Sequence, residues 1–335
     1  MSKGIAEVTE NPERIAVELD ASVTLCKNRI VIGEAGLTKK GAERSALIIL
    51  NQRISLGELF LAAWSAKTIR ICADGGANRL YEFFEGYDVT LRQNYIPDYI
   101  IGDLDSLKPD VKSYYASKGA TIICQNSQYS TDFTKCIRLL SLHYNSSTFR
   151  DAVMMKLPEV NHGIEIEDGI QDLYNDMLKK YTTDILPIEV LAINAIGGRF
   201  DQTIHSITQL YKLRSTDPYL KLVYLTDTDI ILLIPGGGTL LSYDSEFRDS
   251  CIGNCGLLPI GVPTTILETR GLKWDVRNWD TSIVTGNVSS SNRLAGRKRC
   301  YLNAGDDFVL NLEIFPEKLA CYIKQSTRKL DPPRI

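Results

Sequence analysis

Four acidic turns carry the residues most able to do chemistry, and each directly follows an apolar run. They read Ala73-Asp74-Gly75-Gly76, Gly102-Asp103-Leu104-Asp105-Ser106, Ser130-Thr131-Asp132-Phe133-Thr134-Lys135 and Gly197-Gly198-Arg199-Phe200-Asp201-Gln202. Carboxylates are hard oxygen ligands, glycines let a ligand approach the backbone, and Lys135 and Arg199 offer positive charge; together they suit a Mg²⁺-nucleotide site. Asp103 and Asp105 alternate around Leu104, so in an extended turn both carboxylates face one side; the alternative is an Asx-type turn leading into a helix. Asp132, one residue past a helix-capping Thr131, can ligate a metal or simply favour the helix N-terminus. Lys135, one turn later, can neutralise phosphate or be an ordinary solvated lysine. The Gly197-Gly198 turn opens a helix after a strand, where the N-terminus favours anions and Arg199 can fork onto a phosphate.

The elements that must position these turns follow from hydrophobic period. Buried strands are expected at Ala46–Leu50, Thr68–Ala73, Tyr99–Ile101, Ala120–Cys124, Ile188–Ile196, Lys221–Leu225 and Asp229–Ile234. Helices fall between them at Leu56–Ala66, after Gly76 through Phe84, after Ser106 with Pro109 in its first turn, from Thr131 to Leu140, and from Asp201 to Leu213. Strand, turn and helix in alternation predict an α/β domain, with a largely parallel sheet flanked by helices in a Rossmann-like way. Ligands of such folds sit outside the carboxyl ends of the strands, where all four turns lie. Residues 143–187 break the rhythm and read as a polar insertion with one helix near Ile170–Tyr181. Past Pro235-Gly236-Gly237-Gly238 the helical period gives way to short β-rich segments up to about Tyr322, such as Thr264–Glu268, Ser282–Thr285 and Asp307–Ile314, the pattern of a small β-sandwich or barrel. The expected division is an arm at 1–44, an α/β domain at 45–238 and an all-β sandwich domain at 239–335.

Composition narrows the function. The chain has 335 residues, 44% hydrophobic and 24% charged, with a net charge of −3, which speaks against nucleic-acid binding through a broad basic face. No apolar run approaches the ~20 residues that span a bilayer, the acidic residues before Asp20 do not suit a secretory signal, and Ser2 stands where myristoylation needs glycine. The eight cysteines are scattered; Cys251 and Cys255 lack the further ligands of a zinc site, and reduced thiols in a cytoplasmic protein are expected. No P-loop and no Gly-x-Gly-x-x-Gly after a strand is present. His143, His162 and His205 form no cluster.

Read in order, the motifs resemble the thiamine pyrophosphokinase family, in its fungal form. The resemblance covers about residues 45–142 and 188–314. It rests on Ala73-Asp-Gly-Gly-Ala-Asn78, Pro97-Asp-Tyr-Ile-Ile-Gly-Asp-Leu-Asp-Ser106, Ser130-Thr-Asp-Phe-Thr-Lys-Cys136, Gly197-Gly-Arg-Phe-Asp-Gln202, Gly271-Leu-Lys-Trp-Asp275 and Val288-Ser-Ser-Ser-Asn292. The resemblance implies transfer of diphosphate from ATP to the hydroxyethyl group of thiamine, giving thiamine diphosphate and AMP, in a homodimer with active sites between subunits. It assigns Mg²⁺ to Asp103, Asp105 and Asp132. It gives ATP to Asp74, Asn78, Gln128, Asp132, Lys135 and Arg199, and catalysis to Asp201, Lys135 and Arg199. Thiamine falls to Ser289, Ser291, Asn292 and Trp274. Two rival readings keep the same turns: a Mg²⁺-ATP enzyme acting on another heterocyclic alcohol, and a non-catalytic thiamine or nucleotide sensor. So many converging charges exceed what binding alone requires, which counts against the sensor.

Overall fold

The structure, a computed structural model, describes residues 5–18, 20–33, 37, 43–155, 164, 167–180 and 185–328. His162, the end of the helix expected to reach Tyr181, and Ser2 lie outside them. The chain makes two sheets. A ten-stranded sheet begins with largely buried apolar strands, each core side chain contributing about 1.5–3 kcal/mol by leaving water. These are β3 (Ser45–Ile49), β4 (Ile69–Ala73), β5 (Tyr99–Gly102), β6 (Thr121–Cys124), β7 (Ile188–Ile193) and β8 (Leu220–Leu225). They run parallel in the order β8-β7-β3-β4-β5-β6.

Antiparallel strands continue the sheet on the β8 side: β9 (Asp229–Ile234), then β16 (Phe308–Ile314), β11 (Ile252–Leu258) and β14 (Ser289–Arg293). The second sheet, six-stranded, is ordered β1-β13-β12-β15-β10-β2. It comprises β10 (Thr239–Ser242), β12 (Thr264–Arg270), β13 (Trp274–Thr281) and β15 (Arg299–Ala304), with β1 (Glu7–Glu10) and β2 (Asn28–Val31) at its two edges. The β-rich half is thus a sandwich whose one layer is continuous with the α/β sheet. Ile266, Leu272 and Leu302 of the smaller sheet share a core with Cys255, Leu257, Leu310 and Leu312 of the larger. The Gly237-Gly238 turn, both residues at positive φ, carries the chain from one sheet to the other.

Helices cover both faces of the parallel strands. On the face shared with the sandwich lie α2 (Glu58–Ala66), α3 (Gly76–Phe83), α5 (Pro109–Ser117) and α10 (Pro316–Arg328). On the other lie α6 (Asp132–Asn145), α8 (Gly169–Lys180) and α9 (Phe200–Thr216). Among the described residues, the short α1 (Ala21–Thr24) and α4 (Val89–Arg92) join them, with α7 (Ser147–Met155), a second helix of the insertion.

Three local expectations are corrected. Ser282–Thr285 is a turn, closed by Gly286 N–H on Ile283 O with Gly286 at positive φ, rather than a strand. Residues 316–328 form a helix, where β-rich chain was expected up to Tyr322; Pro316 opens it and Lys324 pairs with Glu58 of α2. Ser106 does not cap α5: the helix starts at Pro109 after Lys108, and the Ser106 hydroxyl points back to donate to Asp105.

Candidate active site

Three consecutive parallel strands, β4, β5 and β6, end side by side, and their ends carry the acidic turns. Ala73 pairs with Ile101 and Gly102 with Cys124. This register sets Asp74 beside Gly102, and Asp103 beside the start of the loop that leads to Asp132. Carboxylate oxygens of Asp74, Asp103 and Asp132 lie within 4.8 Å of one another. The close approach depends on Gly102: a Cβ there would stand 2.5 Å from Asp74 Cβ and 3.1 Å from an Asp132 oxygen.

Asp105 stays outside this cluster, exposed, with its carboxylate accepting from the Ser106 hydroxyl at 3.0 Å. Leu104 sits at φ 64, so the turn is left-handed rather than extended, and the alternation that would align Asp103 with Asp105 does not apply. Asp74 also has positive φ, 42°, a conformation that a short polar side chain tolerates better than most. Two such residues within one cluster mark a site where local backbone strain is held by its surroundings.

The cluster is electrostatically unbalanced. Burial, reinforced by Asp132, Asp103 and Asp105, pushes the Asp74 carboxyl up to about 6, against the hydrogen bond from Ser106 N–H. Asp132 is also raised, by burial first, with Lys135 opposing and Asp103 and Asp105 adding. Burial raises Asp103 too, but hydrogen bonds from the Gln128 side chain and Asp105 N–H, with the Lys135 charge, bring it below the ordinary range. Asp74 Oδ1 is buried with no hydrogen-bond partner, while Oδ2 accepts from Ser106 N–H at 3.1 Å. A buried, unpartnered carboxylate oxygen among like charges calls for a cation. Three hard oxygens this close suit one Mg²⁺, which keeps water or phosphate oxygens in its remaining positions.

The neighbouring side chains are largely committed. Lys135 is buried, its ammonium 3.1 Å from Asp132 Oδ1. Gln128 donates to Asp103 Oδ2 at 3.0 Å. Asn78 donates to Ser106 O at 2.7 Å and accepts from Lys108 N–H at 3.0 Å, so it shapes the acidic turn from below. Thr131 caps α6 by accepting from Thr134 N–H, and His205 Nε2 of α9 lies 3.2 Å from its hydroxyl. That contact ties the first turns of α9 to the N-terminus of α6. Arg199 and Asp201, just ahead, are exposed and paired through two hydrogen bonds, 3.1 and 2.5 Å. Arg199 holds the Asp201 carboxyl below its usual range. Asn194, at positive φ, ties this turn to Leu50 O and Gln52 O at the end of β3.

The segment matched to thiamine lies elsewhere. Ser289, Ser291 and Asn292 are on β14, at the opposite edge of the ten-stranded sheet, and Trp274 starts β13. Asn292 is buried and spent on the Trp274 backbone, accepting from its N–H and donating to its carbonyl. Ser291 and the Trp274 ring remain exposed. β14 stands seven strand positions from β4 in the sheet order, which at ~4.8 Å per step is roughly 34 Å along the sheet.

A separate cavity of about 500 Å³ opens between β2 and the β7–β9 region, lined by Leu220, Leu222, Leu232, Arg214 and Lys221 among others. It adjoins Glu189 and Leu220 at the starts of β7 and β8, the end of the sheet away from the carboxylates, and takes no part in their chemistry. Sequence reasoning gave Asp74 to nucleotide rather than to the carboxylate triad. The signal was an Asp closing a strand whose neighbour also closes on Asp, but only strand register turns that into contact.

Carboxylates on adjacent strand ends, a buried lysine among them and a Gly-Gly-Arg helix entrance define an α/β phosphate-transfer enzyme. Residues 60–222 match the family described as thiamin pyrophosphokinase, catalytic domain, and residues 246–306 the thiamin pyrophosphokinase vitamin B1 binding domain. The chain belongs to the thiamin pyrophosphokinase family. It is 51% identical to the thiamine pyrophosphokinase of Saccharomyces cerevisiae over 95% of this chain and 99% of that protein. The crystal structure of yeast thiamin pyrophosphokinase superposes with a TM-score of 0.87, over 94% of this chain and 99% of that one. Thiamin pyrophosphokinase from Candida albicans gives 0.76 at 37% identity, over 94% and 100%. Thiamine pyrophosphokinase 1 of Arabidopsis thaliana is 31% identical over 81% of this chain and 86% of its own.

Proposed function

We propose that the protein transfers the diphosphate of ATP to the hydroxyethyl oxygen of thiamine, releasing AMP and thiamine diphosphate. The observation that carries the reading is the Asp74, Asp103 and Asp132 cluster beside buried Lys135, in a chain half identical to a thiamine pyrophosphokinase along nearly its whole length. Asp74, Asp103 and Asp132 would hold Mg²⁺, with Asp105 within electrostatic reach of them. Held there, the ion would supply positive charge to offset that of the polyphosphate oxygens.

The remaining work belongs to the chain's own residues. Lys135 neutralises Asp132 and, with ATP bound, the adjacent phosphate oxygens; its burial keeps the charge at one place. Gln128 orients Asp103. Arg199 presents a planar fork to phosphate from the mouth of α9, whose N-terminus also favours anions. Asp201, with its carboxyl depressed by Arg199, is a weak base. Its role in this reading is to accept the thiamine hydroxyl hydrogen bond and aim the oxygen at the β-phosphorus, since in-line geometry dominates this chemistry. Ser289 and Ser291 with the Trp274 ring offer hydrogen bonds and an aromatic face to a flat, cationic substrate.

We further propose a homodimer in which the carboxylates of one chain face β14 of the other. The separation of β4–β6 from β14 within one sheet supports it. The eight free thiols fit a cytoplasmic setting, and no helix among the described residues is long and apolar enough to cross a membrane. The test is to incubate purified protein with ATP, Mg²⁺ and thiamine and to separate the nucleotides. AMP and thiamine diphosphate in equal amounts are expected. ADP with thiamine monophosphate, or thiamine binding without turnover, overturns the reading.

A further inference from the structure

The insertion that interrupts the α/β rhythm is not simply appended to the surface. Between Cys124, the last residue of β6, and the cap of α6 at Thr131, the chain forms the loop that carries Gln128 and leads to Asp132. On one side this loop is held by the catalytic sheet: Gln125 N–H donates to Gly102 O at 2.7 Å, and Gln128 donates to Asp103. On the other side it is held by the insertion. The Gln125 side chain accepts from Ile170 N–H at 2.9 Å and donates to Ile164 O, and Ser127 N–H donates to Glu167 O at 3.2 Å. Gln125 and Ser127 are both buried, while Gln128 between this anchor and Asp132 is exposed toward the cleft.

The insertion is in turn fastened to the catalytic domain at its far side. Tyr174 of α8 donates to buried Asp217 at the end of α9, and Asp217 also accepts from Tyr219 at 2.9 Å. Ile170, Tyr174 and Met177 are buried against the α6 face of the core. The insertion therefore bridges a rigid anchor at α9–β8 and the loop at the end of β6. A buried amide matched at both its oxygen and its nitrogen fixes orientation, where an apolar side chain of the same size would only fill space.

We propose that the insertion is a brace for the phosphate-handling loop and that Gln125 is its positioning residue, holding Gln128 and Asp132 in register with Asp103. The inference rests on the diphosphokinase reading of the site. Gln125 touches neither substrate nor metal in it; it acts through the loop.

The test is steady-state kinetics of full-length Gln125→Met, which keeps length and volume but loses the amide, run beside wild type well below the melting temperature of either. The expected result is a KM for ATP at saturating Mg²⁺ raised about tenfold, the equivalent of ~1.4 kcal/mol, with the KM for thiamine changed less than about twofold, because β14 is not part of the brace. A merely structural glutamine would lower the melting temperature and leave both KM values alone, and that result overturns the proposal. Should Gln125→Met fail to fold, Gln125→Glu retains the acceptor for Ile170 N–H and is judged by the same split. Wild-type turnover to AMP and thiamine diphosphate in the same experiment tests the underlying reading separately, so the two can fail independently.

Discussion

Replacing Asp74 by Asn should make the metal-free protein more stable and the enzyme nearly inactive. Asn keeps the acceptor that Ser106 N–H needs and tolerates the positive φ at this position, so the change is confined to charge. The Asp74 carboxyl titrates at about 6 in the folded protein against an ordinary 3.8. A shift of that size corresponds to about 3 kcal/mol, at about 1.36 kcal/mol per unit. Solvent and Lys135 at the cleft screen it, so about 1–2 kcal/mol is the expected gain, or roughly 2–4 °C in melting temperature. The sign follows from proton binding. Between pH 3.8 and about 6 the folded protein holds a proton that the unfolded chain has lost, so stability falls as pH rises through that window and stays lower above it. Thermal melts in EDTA should therefore show an advantage of the variant about three times larger at pH 7.5 than at pH 4.5, where the window has only been entered. Added Mg²⁺ should raise the melting temperature of wild type more than that of the variant, because a ligand stabilises only the state that binds it. Turnover should fall by about two to three orders of magnitude, the range for losing an electrostatic anchor of the transition state. A variant that melts several degrees below wild type in EDTA at pH 7.5, or one that keeps its turnover, would refute the reasoning.

Gly102→Ala should cost about 1–3 kcal/mol of stability, since its Cβ has to fit 2.5 Å from Asp74 Cβ, and denaturant melts will show it. Arg199→Lys should lower kcat/KM roughly tenfold with the melting temperature unchanged, because the exposed Arg199 supports no packing but loses its bidentate fork. His143 is held neutral, pushed down to about 4 by burial and by Arg150, and lies 2.8 Å from the Tyr99 hydroxyl. Its contribution is intact above pH 6.5 and drains away as pH falls to about 4, costing about 2 kcal/mol after allowance for its partial exposure. In His143→Gln the drop in denaturation midpoint from pH 7 to pH 4.5 should shrink accordingly. Mixing inactive Asp103→Asn with a Ser289→Ala/Ser291→Ala double variant, after unfolding and refolding together, should restore about a quarter of wild-type activity, since half the dimers are mixed and one of their two sites is intact. No recovery would sink the shared-site arrangement.

How much of this was legible depends on whether a feature is local. Strands β3 to β9 announce themselves as short apolar runs followed by polar or glycine-bearing turns, and Thr131 announces α6 by its capping chemistry. β1 and β2 do not: every β1 side chain is exposed, so the strand has no hydrophobic period, and its partners on β13 lie 264 to 270 residues away in sequence. Helix α10 hid because the β-rich reading runs on to about Tyr322, past the Pro316 that opens the helix. Asp103 and Asp105 looked paired because alternation presumes an extended backbone, and Leu104 is left-handed. The cluster is completed instead by Asp74 from the neighbouring strand, a matter of register that no single segment encodes.

The same distinction between local and tertiary information bears on the second chain. The family resemblance implies one site built from the turns after β4, β5 and β6 together with the Ser289–Asn292 segment. The sheet order sets those two groups at opposite ends, β14 at one edge and β6 at the other. The smaller sheet cannot close the gap by folding back, because its own core is packed against β16 and β11 beside β14. The proposed dimer reconciles the two orders, each copy lending its carboxylates to the other's β14. On that proposal the dimer is a requirement of the chemistry rather than an addition to it, and dilution below its dissociation constant should abolish turnover while leaving each chain folded.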